Sequence, residues 1–205
     1  MTTKGFTLIE LMVTISIMLI MTSVVIFNYN KFNDSSLLGA FAYDISLTIR
    51  QAQVYGVAVK EGGASGQMSP ISTDSFNNFQ SAYGVHFDKS TPEATPLTLF
   101  VDENNNGSYD NGETVIQTYK FQRGINIESL CIANNVSLGN NPCTFDALDI
   151  VFKRPDPEAK ISGTGINIRG HRFSNGSEAT IKLQNSSNDL HKSVVVEQSG
   201  QISVQ

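Results

Sequence analysis

Lys4-Gly5-Phe6-Thr7-Leu8-Ile9-Glu10-Leu11 opens the segment on which the fold reading turns. From Phe6 to Phe27 every residue is apolar, Ser or Thr, with the single exception of Glu10. At a 1.5 Å rise per residue, this run makes a helix of about 33 Å, enough to cross a hydrocarbon core. Lys4 precedes the run and Lys31 follows it, so flanking charge barely fixes an orientation, although a cytoplasmic Lys4 is compatible with it. A secretory signal peptide would have a shorter apolar stretch followed by a small-residue cleavage site, and neither property is found here. Glu10 sits five residues into the apolar run. A carboxylate costs about 2.5–3.5 kcal/mol at the centre of a bilayer and less toward an edge, so such a group is functional by default and needs a partner. No cation lies within one turn on its C-terminal side, so the counter-charge is expected from outside this helix.

The stretch Lys4-Gly5-Phe6-Thr7-Leu8-Ile9-Glu10 resembles the processing motif of type IV prepilins and type II secretion pseudopilins. The resemblance implies cleavage after Gly5 by a prepilin peptidase and methylation of the new amino group on Phe6. It also implies that Glu10 pairs with the terminal amine of a neighbouring subunit during assembly, which supplies the missing cation. The domain organisation expected is a leader peptide over 1–5, a transmembrane and filament-core helix over 6–32, and a globular head over 33–205. The protein would wait in the inner membrane as a single-pass subunit with its head outside the cytoplasm, then enter an extracytoplasmic filament of pilin or pseudopilin subunits. The minor-subunit reading is preferred. A major pilin is its neighbour within the class, and an unprocessed, membrane-anchored, calcium-binding adhesin domain is the reading from another class.

Beyond Phe27 the polarity rises while Leu37, Leu38, Phe41, Ile45, Ile49 and Ala52 recur three or four apart. They predict a helix continuing to about Val59, membrane-spanning first and amphipathic later, with Asn33-Asp34-Ser35 as a place where it could instead kink or restart. Residues 61–81 read as a loop. Seven strand-like runs follow: Ala82–Phe87, Leu97–Val101, Thr114–Phe121, Leu148–Phe152, Ala179–Leu183, Ser193–Glu197 and Gln201–Val204. Helix first and strands afterwards indicate an α+β fold, a long N-terminal helix packed on a mostly antiparallel, β-rich head. Phe100 to Asn104 with Glu113 to Ile116 resembles the central hairpin of GspH/FimT-type minor pilins, and Ser193 to Gly200 resembles their terminal hairpin. Some relatives implicated in DNA uptake carry arginines after that last Gly. Gln201-Ile202-Ser203-Val204-Gln205 has none.

Asp102 to Glu113 matches the pattern D-x-[DN]-x-[DN]-G-x₅-E. In a calcium loop of this spacing the oxygens of Asp102, Asn104, Asn106 and Glu113 converge, with the Ser108 carbonyl and Asp110 completing the set and Gly107 making the turn. The flanks read as strands rather than helices, and Asn and Gly also dominate plain turns, so a solvated hairpin is the competing reading. Cys131 and Cys143 form an even, closely spaced pair that suits a disulfide in an oxidising compartment, with two buried thiols as the alternative. Closing that loop would stabilise the head by roughly 3 kcal/mol. The net charge of −5 and the absence of a basic run leave no footprint for nucleic acid. His86, His171 and His191 lack ligand spacing, Gly163-x-Gly165 is an incomplete dinucleotide fingerprint, and Lys153-Arg154 before Pro155-Asp156-Pro157 reads as a strand end and turn. No nucleophile, phosphate-loop or metalloprotease motif is found, so no enzymatic role is expected.

Overall fold

The computed structural model describes residues 5–58, 81–90, 97–121, 124–133, 142–165 and 173–205, excepting the side chains of 27–31. The predicted 61–81 loop lies almost wholly outside the described residues, as does His171. One helix, α1, runs Leu8–Val57 and passes through Asn33, Asp34 and Ser35 without interruption. It is two residues shorter at each end than its sequence period predicts. The chain forms two compact units, Met1–Leu37 and Leu38–Gln205.

In the first unit, Leu8–Ile26 has a mean hydropathy of 2.3 and none of it is buried, so it is long and apolar enough to cross a membrane. Three of its hydroxyls are satisfied inside the helix. Thr14, Ser16 and Thr22 donate to the carbonyls of Leu11, Met12 and Met18 at 2.9, 2.8 and 2.7 Å. Such back-bonding is what polar side chains require where no water is at hand.

In the second unit, Leu38, Ala42, Ile45, Ile49 and Ala52 of α1 are buried at alternating spacings of four and three. Ten strands follow: β1 Ala82–Asp88, β2 Leu97–Asp102, β3 Val115–Tyr119, β4 Asn126–Ala133, β5 Ala147–Lys153, β6 Asp156–Thr164, β7 Phe173–Ser174, β8 Glu178–Gln184, β9 His191–Glu197 and β10 Ile202–Val204. They make a six-stranded sheet ordered β3-β2-β1-β5-β6-β7 and a four-stranded sheet ordered β10-β9-β8-β4. Every pairing is antiparallel. The helix docks on the face of the larger sheet that carries Tyr83 and Phe152. Tyr55 meets Tyr83 edge-on at 5.6 Å, and a Cβ on Gly56 would lie 2.4 Å from the Phe152 carbonyl oxygen. Gln53 donates to the carbonyls of Gly200 and Pro157, tying the β9–β10 turn and the start of β6 to the helix.

All seven strand-like runs are strands, with ends moved by up to two residues. β4, β6 and β7 are additions the sequence reading lacked. β4 carries a register shift between Ile127 and Ser129, which breaks its apolar alternation. β6 opens with exposed polar residues and Pro157, and it contains Gly163. The Gly163 position is explained by packing, since a Cβ there would lie 2.7 Å from Ile132 and 2.8 Å from Phe145. Arg154 and Pro155 form the turn between β5 and β6, as the sequence predicts.

Candidate functional site

Two places hold the candidate side chains. The first is the start of α1. Gly5, Phe6 and Thr7 precede the helix, Phe6 is 82% exposed, and nothing lies within 4 Å of a Cβ built on Gly5. Gly5 and Phe6 are therefore open to solvent. The Glu10 amide donates to the Thr7 hydroxyl at 3.3 Å, while the Thr7 amide and hydroxyl reach the Glu10 carboxylate at 3.3 and 3.1 Å. Thr7 is thus the N-cap and Glu10 the third helical residue of a reciprocal capping box, at the end of the helix where its dipole favours a negative charge. The apolar run alone points to a counter-charge for Glu10 outside this helix. The Thr-x-x-Glu spacing was the signal that would have revealed a local partner. The cap satisfies hydrogen bonds and leaves the charge itself unneutralised.

The second place is the segment joining β2 to β3. In register across the larger sheet, Phe100, Gly84, Val151 and Lys160 form one row and Thr98, His86, Asp149 and Ser162 form the next. The 102–113 segment crosses this face. Tyr109 packs on Phe100 at 5.1 Å and on His86 at 4.8 Å, closing a small cluster with Ala82 and Val151. Its far side is held by β6, where Ser162 donates to the Gly107 carbonyl at 2.8 Å and shares a 2.9 Å hydrogen bond with the Ser108 hydroxyl. Lys160 donates to the Asn106 carbonyl at 2.7 Å. The segment is therefore a strap over the outer face of the sheet, which is why β2 is buried along its whole length.

The strap brings the predicted ligand residues together. The Asp102 carboxylate, 1% exposed, accepts the amides of Asn106 and Gly107 at 3.1 and 2.8 Å. Asn104 and Asn106 accept the amides of Asn106 and Ser108, each at 2.9 Å, and both turn their amide nitrogens to Asp110, at 3.0 and 2.5 Å. Glu113 accepts the Asp110 amide at 3.0 Å through one oxygen, and its other oxygen is buried with no donor. Burial pushes the Asp102 carboxyl above its ordinary value against the pull of the Gly107 and Asn106 amides. Burial raises Glu113 as well, and the charges of Asp102 and Asp110 add to the effect. Gly107 has φ +84°, and a Cβ there would strike the Lys160 side chain, so the sixth position of the loop requires glycine. Among the described residues no three His, Cys, Asp or Glu side chains are grouped so as to hold a metal. A cation in this strap would rely on asparagine and main-chain oxygens besides its carboxylates, and the amides of Asn104 and Asn106 now supply Asp110 with positive partial charge. The oxygen chemistry fits calcium, and the asparagine amides would have to turn to complete the set.

Elsewhere, Cys131 and Cys143 are joined by a disulfide that ties β4 to the segment entering β5. His86, read as a surface or strand position, lies on β1 and is hydrogen-bonded to the buried Asp149 at 2.6 Å. His191 meets Glu128 at 3.1 Å on the surface of the smaller sheet. The Val85-His86-Phe87 and Leu148-Asp149-Ile150 alternations place both polar side chains on the strap face, and that pattern could have paired them.

Residues 1–26 match the family model for the prokaryotic N-terminal methylation motif. No curated protein and no solved structure matches the chain. The matched span covers Gly5, Phe6, the Thr7–Glu10 cap and the apolar helix to Ile26. The motif implies processing by prepilin peptidase and assembly with other pilins. The head adds an α+β architecture of helix on antiparallel sheets. The chain carries the N-terminal methylation motif of the type IV pilin and pseudopilin family, which marks it as a structural subunit and not an enzyme.

Proposed function

We propose that the protein is a minor pilin or pseudopilin of GspH/FimT type. It resides in the inner membrane with its head outside the cytoplasm, is cut after Gly5, is methylated on Phe6, and passes into a filament or its tip. The observation that carries this reading is a lone carboxylate, Glu10, at the cap of an otherwise apolar exposed helix inside the matched motif. Its charge is met when the Phe6 amine of a neighbouring subunit comes alongside. The β2–strap–β3 pair and the β9–β10 hairpin turning at Ser199-Gly200 support the GspH/FimT likeness, and the disulfide supports an oxidising compartment. The mass of the N-terminal peptide from cells with an active prepilin peptidase is the test. Methylated Phe6 is expected, and intact Met1 would replace this reading with an unprocessed anchor. Abundance in sheared filaments separates a minor from a major subunit.

Calcium in the strap is a second reading. The undonated buried oxygen of Glu113 and the raised carboxyls of Asp102 and Glu113 favour it, because a bound cation would stabilise all three.

A further inference from the structure

We propose that Asn106-Gly107 in the strap is a self-processing site, at which the side-chain amide of Asn106 is lost through a cyclic imide and replaced by a carboxylate. Imide formation requires a main-chain nitrogen to attack the asparagine Cγ, and four groups that assist this reaction stand around the one peptide unit. The attacking nitrogen belongs to Gly107, whose lack of a Cβ leaves the approach open. Its proton is hydrogen-bonded to the Asp102 carboxylate at 2.8 Å, a general base already in place. The carbonyl of the same peptide unit, that of Asn106, accepts the Lys160 ammonium at 2.7 Å, which draws electron density from the unit and makes the N–H easier to remove. The Asn106 side-chain oxygen accepts the Ser108 amide at 2.9 Å, a donor set where negative charge develops as Cγ becomes tetrahedral. That bond also closes an Asx turn over Asn106-Gly107-Ser108. The departing Nδ2 donates to the Asp110 carboxylate at 2.5 Å, a bond that is given up as ammonia leaves.

The steps balance. The bond from Gly107 N to Asn106 Cγ forms, the bond from Cγ to Nδ2 breaks, and the proton removed from Gly107 leaves with the nitrogen as ammonia. Water then opens the imide at either carbonyl, giving aspartate or isoaspartate at 106. The chain contains two other Asn-Gly pairs that serve as internal references. The Gly176 amide donates to the Ile161 carbonyl at 3.1 Å, an acceptor that cannot take the proton. The aspartate product places a new carboxylate beside Asp110, in a strap that already holds two raised carboxyls. The conversion is therefore a one-way change in the charge of the outer face, and it needs no enzyme.

The test uses the full chain in detergent, incubated at neutral and mildly alkaline pH, folded or in urea, and followed by peptide mass mapping that separates Asn, Asp and isoAsp. Asn106 is expected to convert severalfold faster in the folded protein than in urea, and faster than Asn111 and Asn175 in the same folded sample. Lys160→Met, which removes an exposed ammonium, is expected to slow Asn106 severalfold and leave Asn111 unchanged. A folded-state rate at Asn106 equal to or below that in urea would show that the strap protects this residue, and would overturn the proposal. An unchanged Asn106 rate in Lys160→Met would overturn it equally.

Discussion

Thr7→Val offers a sharp test of how Glu10 is held, because valine keeps the shape of threonine and removes only the hydroxyl. That hydroxyl makes two of the three cap contacts. It accepts the Glu10 amide at 3.3 Å and donates to the carboxylate at 3.1 Å. Losing an N-cap side chain costs about 0.5–2 kcal/mol in water. Here the cap closes the end of an apolar run, where an unmet amide finds less water, so the upper half of that range applies. A loss of 1–2 kcal/mol shifts a two-state balance by roughly a factor of 5–30. The expected result is a fall of that order in the ratio of subunit recovered in sheared filaments to subunit left in membranes. The ratio is taken over chains whose N-terminal peptide shows mature Phe6, because Thr7 also lies next to the scissile region. Thr7→Ser keeps the hydroxyl and is expected to assemble near the normal ratio. If Thr7→Val assembled as well as the parent while Glu10→Gln did not, the carboxylate would act without its cap and the reasoning would fail.

Gly56→Ala sets two effects against each other: alanine favours a helix over glycine by about 1 kcal/mol, but its Cβ would lie 2.4 Å from the Phe152 carbonyl oxygen, a main-chain atom that cannot swing away. Overpacking of this kind costs about 1–3 kcal/mol and the propensity gain is small so near the helix end, so a midpoint lowered by a few degrees is expected, and a raised midpoint would contradict the helix docking. The strap predicts a pH dependence. Asp102 and Glu113 are raised in the folded state, so their contribution to stability is fully present below the ordinary values of 3.8 and 4.5 and is lost as pH rises through the raised ones. In chelator, Glu113→Gln is therefore expected to flatten the fall in midpoint above that range, and an unchanged slope would refute the assignment. With calcium at ten times its dissociation constant the gain is about 1.4 kcal/mol, a shift of roughly 3–5 °C that grows with pH, and an unmoved midpoint in millimolar calcium removes the metal reading.

The helix and most strands were legible because their signals are local. Residues 6–27 announce themselves by composition, and Leu38, Ile45, Ile49 and Ala52 by spacing, while the buried Ala42 takes the place the spacing gave to Phe41. β4 was not legible because its bulge shifts the inward face partway along, and β6 because half of it is an exposed polar edge beside the β5 turn. The candidate sites divide in the same way. Glu10 could be read from one residue in an apolar run. The grouping of Asp102, Asn104, Asn106, Asp110 and Glu113 could be read from spacing, but Lys160 and Ser162 could not, since they come from a strand three positions away in the sheet.

That distance bears on what the D-x-[DN]-x-[DN]-G pattern is for. A plain hairpin turn between β2 and β3 would leave Phe100, Gly84 and Val151 facing solvent, and Gly84 has no side chain to cover its own row. The room above Gly84 is taken by Phe100 and Val151, each within 2.7 Å of where a Cβ would stand, and Tyr109 is laid over them. To bring Tyr109 there, the chain must leave β2, cross β1 and β5, touch β6 and return to β3, about 14 Å out and about 19 Å back at the usual strand spacing. Backbone amides along such a path have no sheet partner and must be met by side chains. The amides of Asn106, Gly107, Ser108 and Asp110 are met by Asp102, Asn104, Asn106 and Glu113. Short acidic and amide side chains at these positions are thus required by the covering of an apolar face whether or not an ion binds. The Glu113 oxygen that meets no amide is the part of the pattern this structural demand leaves over, and it is the atom on which a calcium ion would have to act.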